Sequence, residues 1–201
     1  MMTETTIEPA VCVPTVLDFS PYPLTDEQFE RLCRNHRDLK FELSSKGELI
    51  VVAPTSPESG WKNTKLTSRT DTWSEVDGTG IVFDSSTMFT LPSGAKRSPD
   101  VSWMPQTKWE ALSHAERNTF SHVVPDFVIE LRSTTDRLIE IQEKMAEYIK
   151  NGVRLGWLID PLERKVHVYR ENGEVEVLND PETVSGENVL PGFVLNPREL
   201  W

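Results

Sequence analysis

A five-residue run, Phe127-Val128-Ile129-Glu130-Leu131, constrains this chain more than any other feature. Nearly continuous apolar and β-rich residues read as a central strand buried on both faces. Ser133-Thr134-Thr135-Asp136 follows as a run of helix N-cap residues, and a helix is predicted from Arg137 to Lys150, closed by Asn151-Gly152. A second apolar strand, Leu155 to Ile159, comes next. The exception inside the first strand is Glu130. An unpartnered carboxylate in such a place is costly, so it requires a cation: a metal, Arg132 or a nearby lysine.

The other elements fit around that unit. Thr25-Asp26-Glu27 opens a short helix through about Asn35. Phe41 to Leu43 and Glu48 to Ala53 read as a hairpin across Ser44-Ser45-Lys46-Gly47. A helix is expected from about Glu58 to Ser74, then strands at Ile81 to Asp84, Met88 to Leu91 and Ser98 to Trp103. A short helix carrying Trp109 and Leu112 falls within 105–122, and strands at Lys165 to Tyr169 and Glu174 to Leu178 follow. Hairpin-linked strands interrupted by a helix predict an α/β domain, a mixed sheet with helices against it. The 201 residues suit one domain over 21–201, preceded by a flexible arm over 1–20.

Composition excludes several classes. No apolar run approaches the ~18 residues that span a bilayer, and the first residues lack the charged and apolar pattern of a secretory signal. Cys12 and Cys33 are the only cysteines, too few for a zinc site or a disulfide framework, although a bond between them is compatible with the sequence. A cytoplasmic protein is expected. The net charge of −11 disfavours a nucleic-acid partner, but the acidity sits at the ends: residues 37–170 hold 19 acids against 18 bases. Neither a nucleophile-elbow serine pattern nor a glycine-rich phosphate loop is present.

Asp100 raises the same question as Glu130 one strand earlier, since Val101 and Trp103 alternate with it. Two carboxylates on adjacent strands suit Mg²⁺, which takes oxygen ligands and keeps waters for a substrate. Asp126 lies four residues from Glu130, about 13 Å along a strand, so it is read as a strand-entry residue. On the following helix the apolar stripe runs through Leu138, Ile141, Met145, Tyr148 and Ile149, and Lys144 lies on its flank. From there it either reaches Glu130 or pairs with Glu140 or Glu147 at the surface. Lys62, Lys65 and Arg69 share one side of the 58–74 helix, and Lys96-Arg97 precede Asp100; they form a DNA-phosphate patch or are ordinary solvated side chains.

Ser98-Pro99-Asp100, Glu130-Leu131-Arg132-Ser133, Lys144, Tyr148, Asn151 through Pro161, and Ser185 through Phe193 together resemble the Uma-two family of restriction endonucleases, common in cyanobacteria and part of the PD-(D/E)XK superfamily. The likeness runs from about Glu42 to Trp201. It implies the restriction-endonuclease-like fold, a central mixed β-sheet flanked by helices, with Asp100 and Glu130 as the two metal-holding acids. It also implies DNA as partner and Mg²⁺ as cofactor, with Mn²⁺ able to substitute. Arg132 stands where the superfamily's lysine would be. The family recruits that basic group from the next helix, and Lys144 matches the place. Arg132 is then a phosphate contact, because arginine stays protonated and makes a poor base. An N-terminal glutamate completes such sites, for which Glu42 is the candidate and Glu48 the weaker one. The expected ion is held by Asp100, Glu130 and the Leu131 carbonyl.

The function expected is therefore Mg²⁺-dependent DNA endonuclease, and a homodimer is compatible with apolar residues near Trp201. The principal alternative is an inactive nuclease fold serving as a DNA-binding or assembly module. A hydrolase of small phosphodiesters, or a structural protein with Glu130 ion-paired to Arg132 or Lys144, are the others.

Overall fold

The structure is a computed structural model, and it describes residues 14–201. Thirteen strands and four α-helices follow in the order β1 (Thr15–Asp18), α1 (Asp26–Asn35), β2 (Lys40–Leu43), β3 (Glu48–Val52), α2 (Pro57–Asp77), β4 (Gly80–Asp84), β5 (Phe89–Thr90), β6 (Lys96–Arg97), β7 (Val101–Pro105), α3 (Gln106–Glu110), β8 (Phe127–Leu131), α4 (Leu138–Lys150), β9 (Leu155–Asp160), β10 (Lys165–Arg170), β11 (Val175–Asn179), β12 (Val184–Ser185) and β13 (Val194–Leu195). The central sheet has the order β11-β10-β9-β8-β7-β4. Only β8 and β9 pair in parallel, joined by the α4 crossover, while the other pairs are antiparallel. A second sheet, β1-β3-β2-β6-β5, stands beside it. The expected mixed α/β architecture is what the chain adopts.

The period of two in β8 sets its two faces. Phe127, Ile129 and Leu131 join a core completed by Leu66 of α2, Trp157 of β9, and Val189, Leu190 and Phe193 from the C-terminal segment. Trp157 and Phe193 stack at 5.6 Å between ring centroids. Val128, on the other face, packs with Leu158 against Ile141, Met145 and Tyr148 of α4. Glu130 shares the face of Val128 and therefore points to α4. Gly156 lets the helix settle close, because a Cβ there would lie 2.5 Å from the Met145 methyl. A third core joins α1 to β2 and β3 through Phe29, Phe41, Leu43 and Leu49.

Three local expectations change. The proposed arm over 1–20 is in part structural, since Thr15–Asp18 pairs with Val51–Glu48 of β3. The N-cap of α4 is Arg137, without a side-chain cap; Ser133 and Asp136 instead close a turn on each other. Helix α2 runs a turn further than predicted, capped by Ser56 and ended by Gly78 at φ 70°. Cys12, the suggested partner of Cys33, lies outside the described residues. No described helix is long and apolar enough to cross a membrane.

Candidate active site

The antiparallel register Val101↔Ile129 brings Asp100, just before β7, opposite Glu130 on β8. Asp100 accepts the Leu131 amide on Oδ2 at 2.8 Å and the Asn63 side-chain amide of α2 on Oδ1 at 3.0 Å. Glu130 is turned to the α4 face, where the Tyr148 hydroxyl donates to its Oε1 at 2.9 Å. Lys144 reaches the same oxygen at 2.9 Å. One turn separates Lys144 from Tyr148, so both meet one carboxylate. Of the two fates the sequence left open for Lys144, the inward one holds. Asn63, Asp100, Glu130, Leu131 and Lys144 line one cleft of about 1880 Å³ between the two sheets and α4, and Tyr148 is buried behind them.

Glu42 of β2 joins from the second sheet. Its Oε1 lies 3.1 Å from Lys144 Nζ and accepts the Ser98 amide at 3.1 Å, while Oε2 is bound by Arg97 at 3.1 Å. Arg97 is gripped on its other side by Glu147 at 2.6 Å. Burial alone would raise the Glu42 carboxyl, but Lys144, Arg97, Lys40 and the Ser98 amide outweigh it and hold it at about 2. For Glu130 burial prevails: with Lys144 the main opposing charge and Asp100 and Glu42 adding repulsion, its carboxyl is pushed up to about 7. Exclusion of water also raises Asp100, against the pull of the Leu131 amide, Lys144, Lys40 and Asn63. Glu130 and Glu42 more than offset burial at Lys144, whose ammonium is stabilised. Burial and the neighbouring Glu130 and Glu42 raise the Tyr148 hydroxyl, so it serves as a donor.

Charge balance tests whether a divalent ion fits. Asp100, Glu130, Glu42 and Glu147, all ionised, outnumber the cations beside them, Lys144 and Arg97 in direct ion pairs and Lys40 acting on Glu42 and Asp100 through its field, which leaves negative charge in excess in a poorly hydrated place. The proton that Glu130 retains to about 7 partly answers that excess. One divalent cation would cancel it. Among the described residues no three His, Cys, Asp or Glu side chains group closely enough to share an ion. Two carboxylates with waters and substrate oxygens are nonetheless an ordinary Mg²⁺ donor set. The residues fit the ion.

Several expected phosphate contacts are engaged elsewhere. Lys96 is 1% exposed, bound to Asp26 at 2.8 Å and to Thr90, with the Phe29 ring beneath it. It anchors the second sheet instead of facing solvent, and Arg97 is enclosed by its two glutamates. Arg132 pairs with Asp160 at 2.7 Å and Glu163 at 3.7 Å. Lys62 lies on the inward face of α2 with Glu58 at 2.7 Å. Lys65 rests 5.8 Å from the Trp61 ring centroid, and Arg69 pairs with Glu199. Glu48 accepts the Ser44 hydroxyl at the hairpin and pairs with neither Asp100 nor Glu130. Asp126 pairs with Lys108 and, at 3.8 Å, Arg154, as a strand-entry residue would.

The profile of the family described as "Uma2: Putative restriction endonuclease" matches residues 26–198. The chain belongs to the Uma2 family. Among solved structures, the crystal structure of a "putative nuclease belonging to DUF820" from Anabaena variabilis resembles it with a TM-score of 0.75 and 21% identity, over 89% of this chain and 97% of that one. At that identity the likeness establishes the fold, restriction-endonuclease-like as expected. No curated protein matches the chain.

Ser98, Tyr148 and Asn63 entered the sequence reading only within family-like motifs, and Glu147 only as a surface partner for Lys144; none was placed in the site. Tyr148 was legible as part of an apolar stripe and of the family pattern, and its hydroxyl was the overlooked signal. Asn63 belongs to a segment, Ala53 through Asn63, that also resembles the family, but its part in the site follows only from the crossing of α2 over the end of β7.

Proposed function

We propose that this Uma2 protein is a Mg²⁺-dependent DNA endonuclease, with Asp100 and Glu130 holding the ion, aided by the Leu131 carbonyl, and Lys144 as the catalytic cation. The observation that carries the reading is Lys144 Nζ at 2.9 Å from Glu130, delivered from the following helix in place of the basic residue that Arg132 cannot supply. When bound, the ion supplies a Lewis acid for the phosphoryl oxygen and lowers the pKa of a coordinated water. The chain's own residues do the rest. Asn63 and the Leu131 amide fix the Asp100 carboxylate, and Tyr148 fixes that of Glu130. Lys144, kept protonated by its two glutamates, donates hydrogen bonds to the attacking water and to charge growing on the phosphate. It is a donor in this scheme and not a base.

A second reading has a specific observation in its favour. Arg132, Arg97, Lys96 and Lys62, four of the expected DNA contacts, are all ion-paired within the chain. That favours a nuclease fold retained as an assembly module. Nicking of supercoiled plasmid with Mg²⁺ or Mn²⁺ separates the two. The parent should nick, and Glu130→Ala and Lys144→Ala should each lose activity by about 10²-fold or more while keeping the parent's circular dichroism. Undiminished nicking by Glu130→Ala would overturn the mechanism, and a parent inert with either ion would favour the second reading.

A further inference from the structure

Lys144 is shared between two carboxylates that do not have equal prospects. Once a divalent ion sits against Glu130, the charge attracting the ammonium to that side is spent, and the ion itself repels it. Glu42 is what remains to keep Lys144 in the cleft. It is built for holding: it is 4% exposed, and both of its oxygens are already engaged. Oε1 serves Lys144 and the Ser98 amide, while Oε2 serves Arg97. Behind it, Glu147 fixes Arg97 and is itself held by the Ser45 amide at 2.8 Å. The backbone of the β2–β3 turn, β2, β6 and α4 thus all support one carboxylate. Two cations and the Ser98 amide already claim this carboxylate, whereas the donors on Asp100 are the neutral amides of Leu131 and Asn63. Glu42 is thus the acid committed to cations of the chain itself.

We propose that Glu42 is a positioning residue: with Arg97 and the Ser98 amide locking it, it tethers Lys144 beside the divalent ion and does not ligate that ion. The inference rests on the assignment of Asp100 and Glu130 as the metal-holding pair. It also reassigns Glu42 from the site-completing acid expected from the sequence to the anchor of the catalytic cation.

The test is a double-mutant cycle read first in Mn²⁺ affinity by calorimetry and then in plasmid nicking. Glu130→Ala should weaken Mn²⁺ binding by about tenfold or more; if it does not, the metal assignment itself is wrong. Glu42→Gln should leave Mn²⁺ affinity within about threefold of the parent, since no ligand is lost. Lys144→Ala should tighten Mn²⁺ binding by removing a cation beside the ion, and that gain should largely vanish in the Glu42→Gln background, where the ammonium is no longer held. In nicking, kcat of Glu42→Gln should fall by about tenfold or more with KM unchanged, and the double variant should be no worse than Lys144→Ala alone. Glu42→Asp, which keeps the charge for Arg97 but falls one methylene short of Lys144, should reproduce these results if Glu42→Gln does not fold. A tenfold loss of Mn²⁺ affinity in either Glu42 variant would make Glu42 a ligand and overturn the tether. So would an unchanged Lys144→Ala gain in the variant background, whether or not the parent nicks DNA.

Discussion

Glu130 concentrates the residue-scale argument, because one carboxylate answers to a strand, a helix and an expected ion. Without divalent ions its carboxyl is raised from 4.5 to about 7, chiefly by burial. The folded chain therefore keeps a proton that the unfolded chain sheds above 4.5. The stability this supplies is complete below about 4.5 and is lost as pH rises through about 7. In EDTA, urea titrations should show the parent losing stability relative to Glu130→Gln across that window, and adding Mn²⁺ should flatten the difference. An equal pH slope for the two proteins would show that Glu130 is not the strained group. Glu42 behaves in the opposite sense: held near 2, its contribution persists at neutral pH and fails only in strong acid. Sequence reading found Asp100 and Glu130 because a charge on an apolar strand is conspicuous; Lys144 stood out beside an apolar stripe but took its role from the family resemblance, and Glu42 came from that resemblance alone. It could not rank the two glutamates, since their difference lies in which cations the fold delivers.

At the scale of elements, a joint between the second sheet and α4 borders the site. Two kinds of contact make it. Arg97, 6% exposed, bridges Glu42 of β2 and Glu147 of α4, whereas Lys46 at the hairpin turn pairs with Glu143 in open solvent. Breaking a buried pair strands its partners, at a cost of about 3–5 kcal/mol, while an exposed pair is worth about 0–1 kcal/mol. Arg97→Met should accordingly lower the urea midpoint by the larger amount with an unchanged m-value, and Lys46→Ala should scarcely move it. Comparable losses in both would mean that the joint is held by packing instead. Here the sequence was only partly readable. β8, α4 and β9 announced themselves through periodicity, but β6 is two residues long and entirely basic, Lys96-Arg97, and no pattern marks it as a strand. Its pairing exists because Leu43 and Phe89 flank it in register. For the same reason Lys96 and Arg97 looked like surface cations. The Asp26, Glu42 and Glu147 that neutralise them come from remote segments.

For the molecule as a whole, the open question is how a chain of net charge −11 would hold a polyanion. The cleft supplies only a short basic track: Lys46, Arg97, Arg137 and Lys144, which line it, have carboxylate partners, while Lys40, on the Ser85 carbonyl, and Lys150 are its cations without one among the described residues. Phosphate neutralisation releases counterions, so the slope of log K against log salt counts the cations a protein commits, at about −0.9 for each contact on duplex DNA. With so many bases already paired, this chain can commit few without breaking an ion pair of its own. Anisotropy titrations with a labelled duplex between 50 and 200 mM salt should therefore give a shallow slope, about −2 or weaker. Affinity should depend more on Mn²⁺, which adds positive charge where Asp100 and Glu130 now repel each other. A slope steeper than about −5 would mean that the internal pairs open to meet DNA, and Arg132→Gln would then reduce it. A shallow slope with strong dependence on the ion would instead place DNA recognition at the metal-bearing cleft, where a substrate arrives held chiefly by the group that cleaves it.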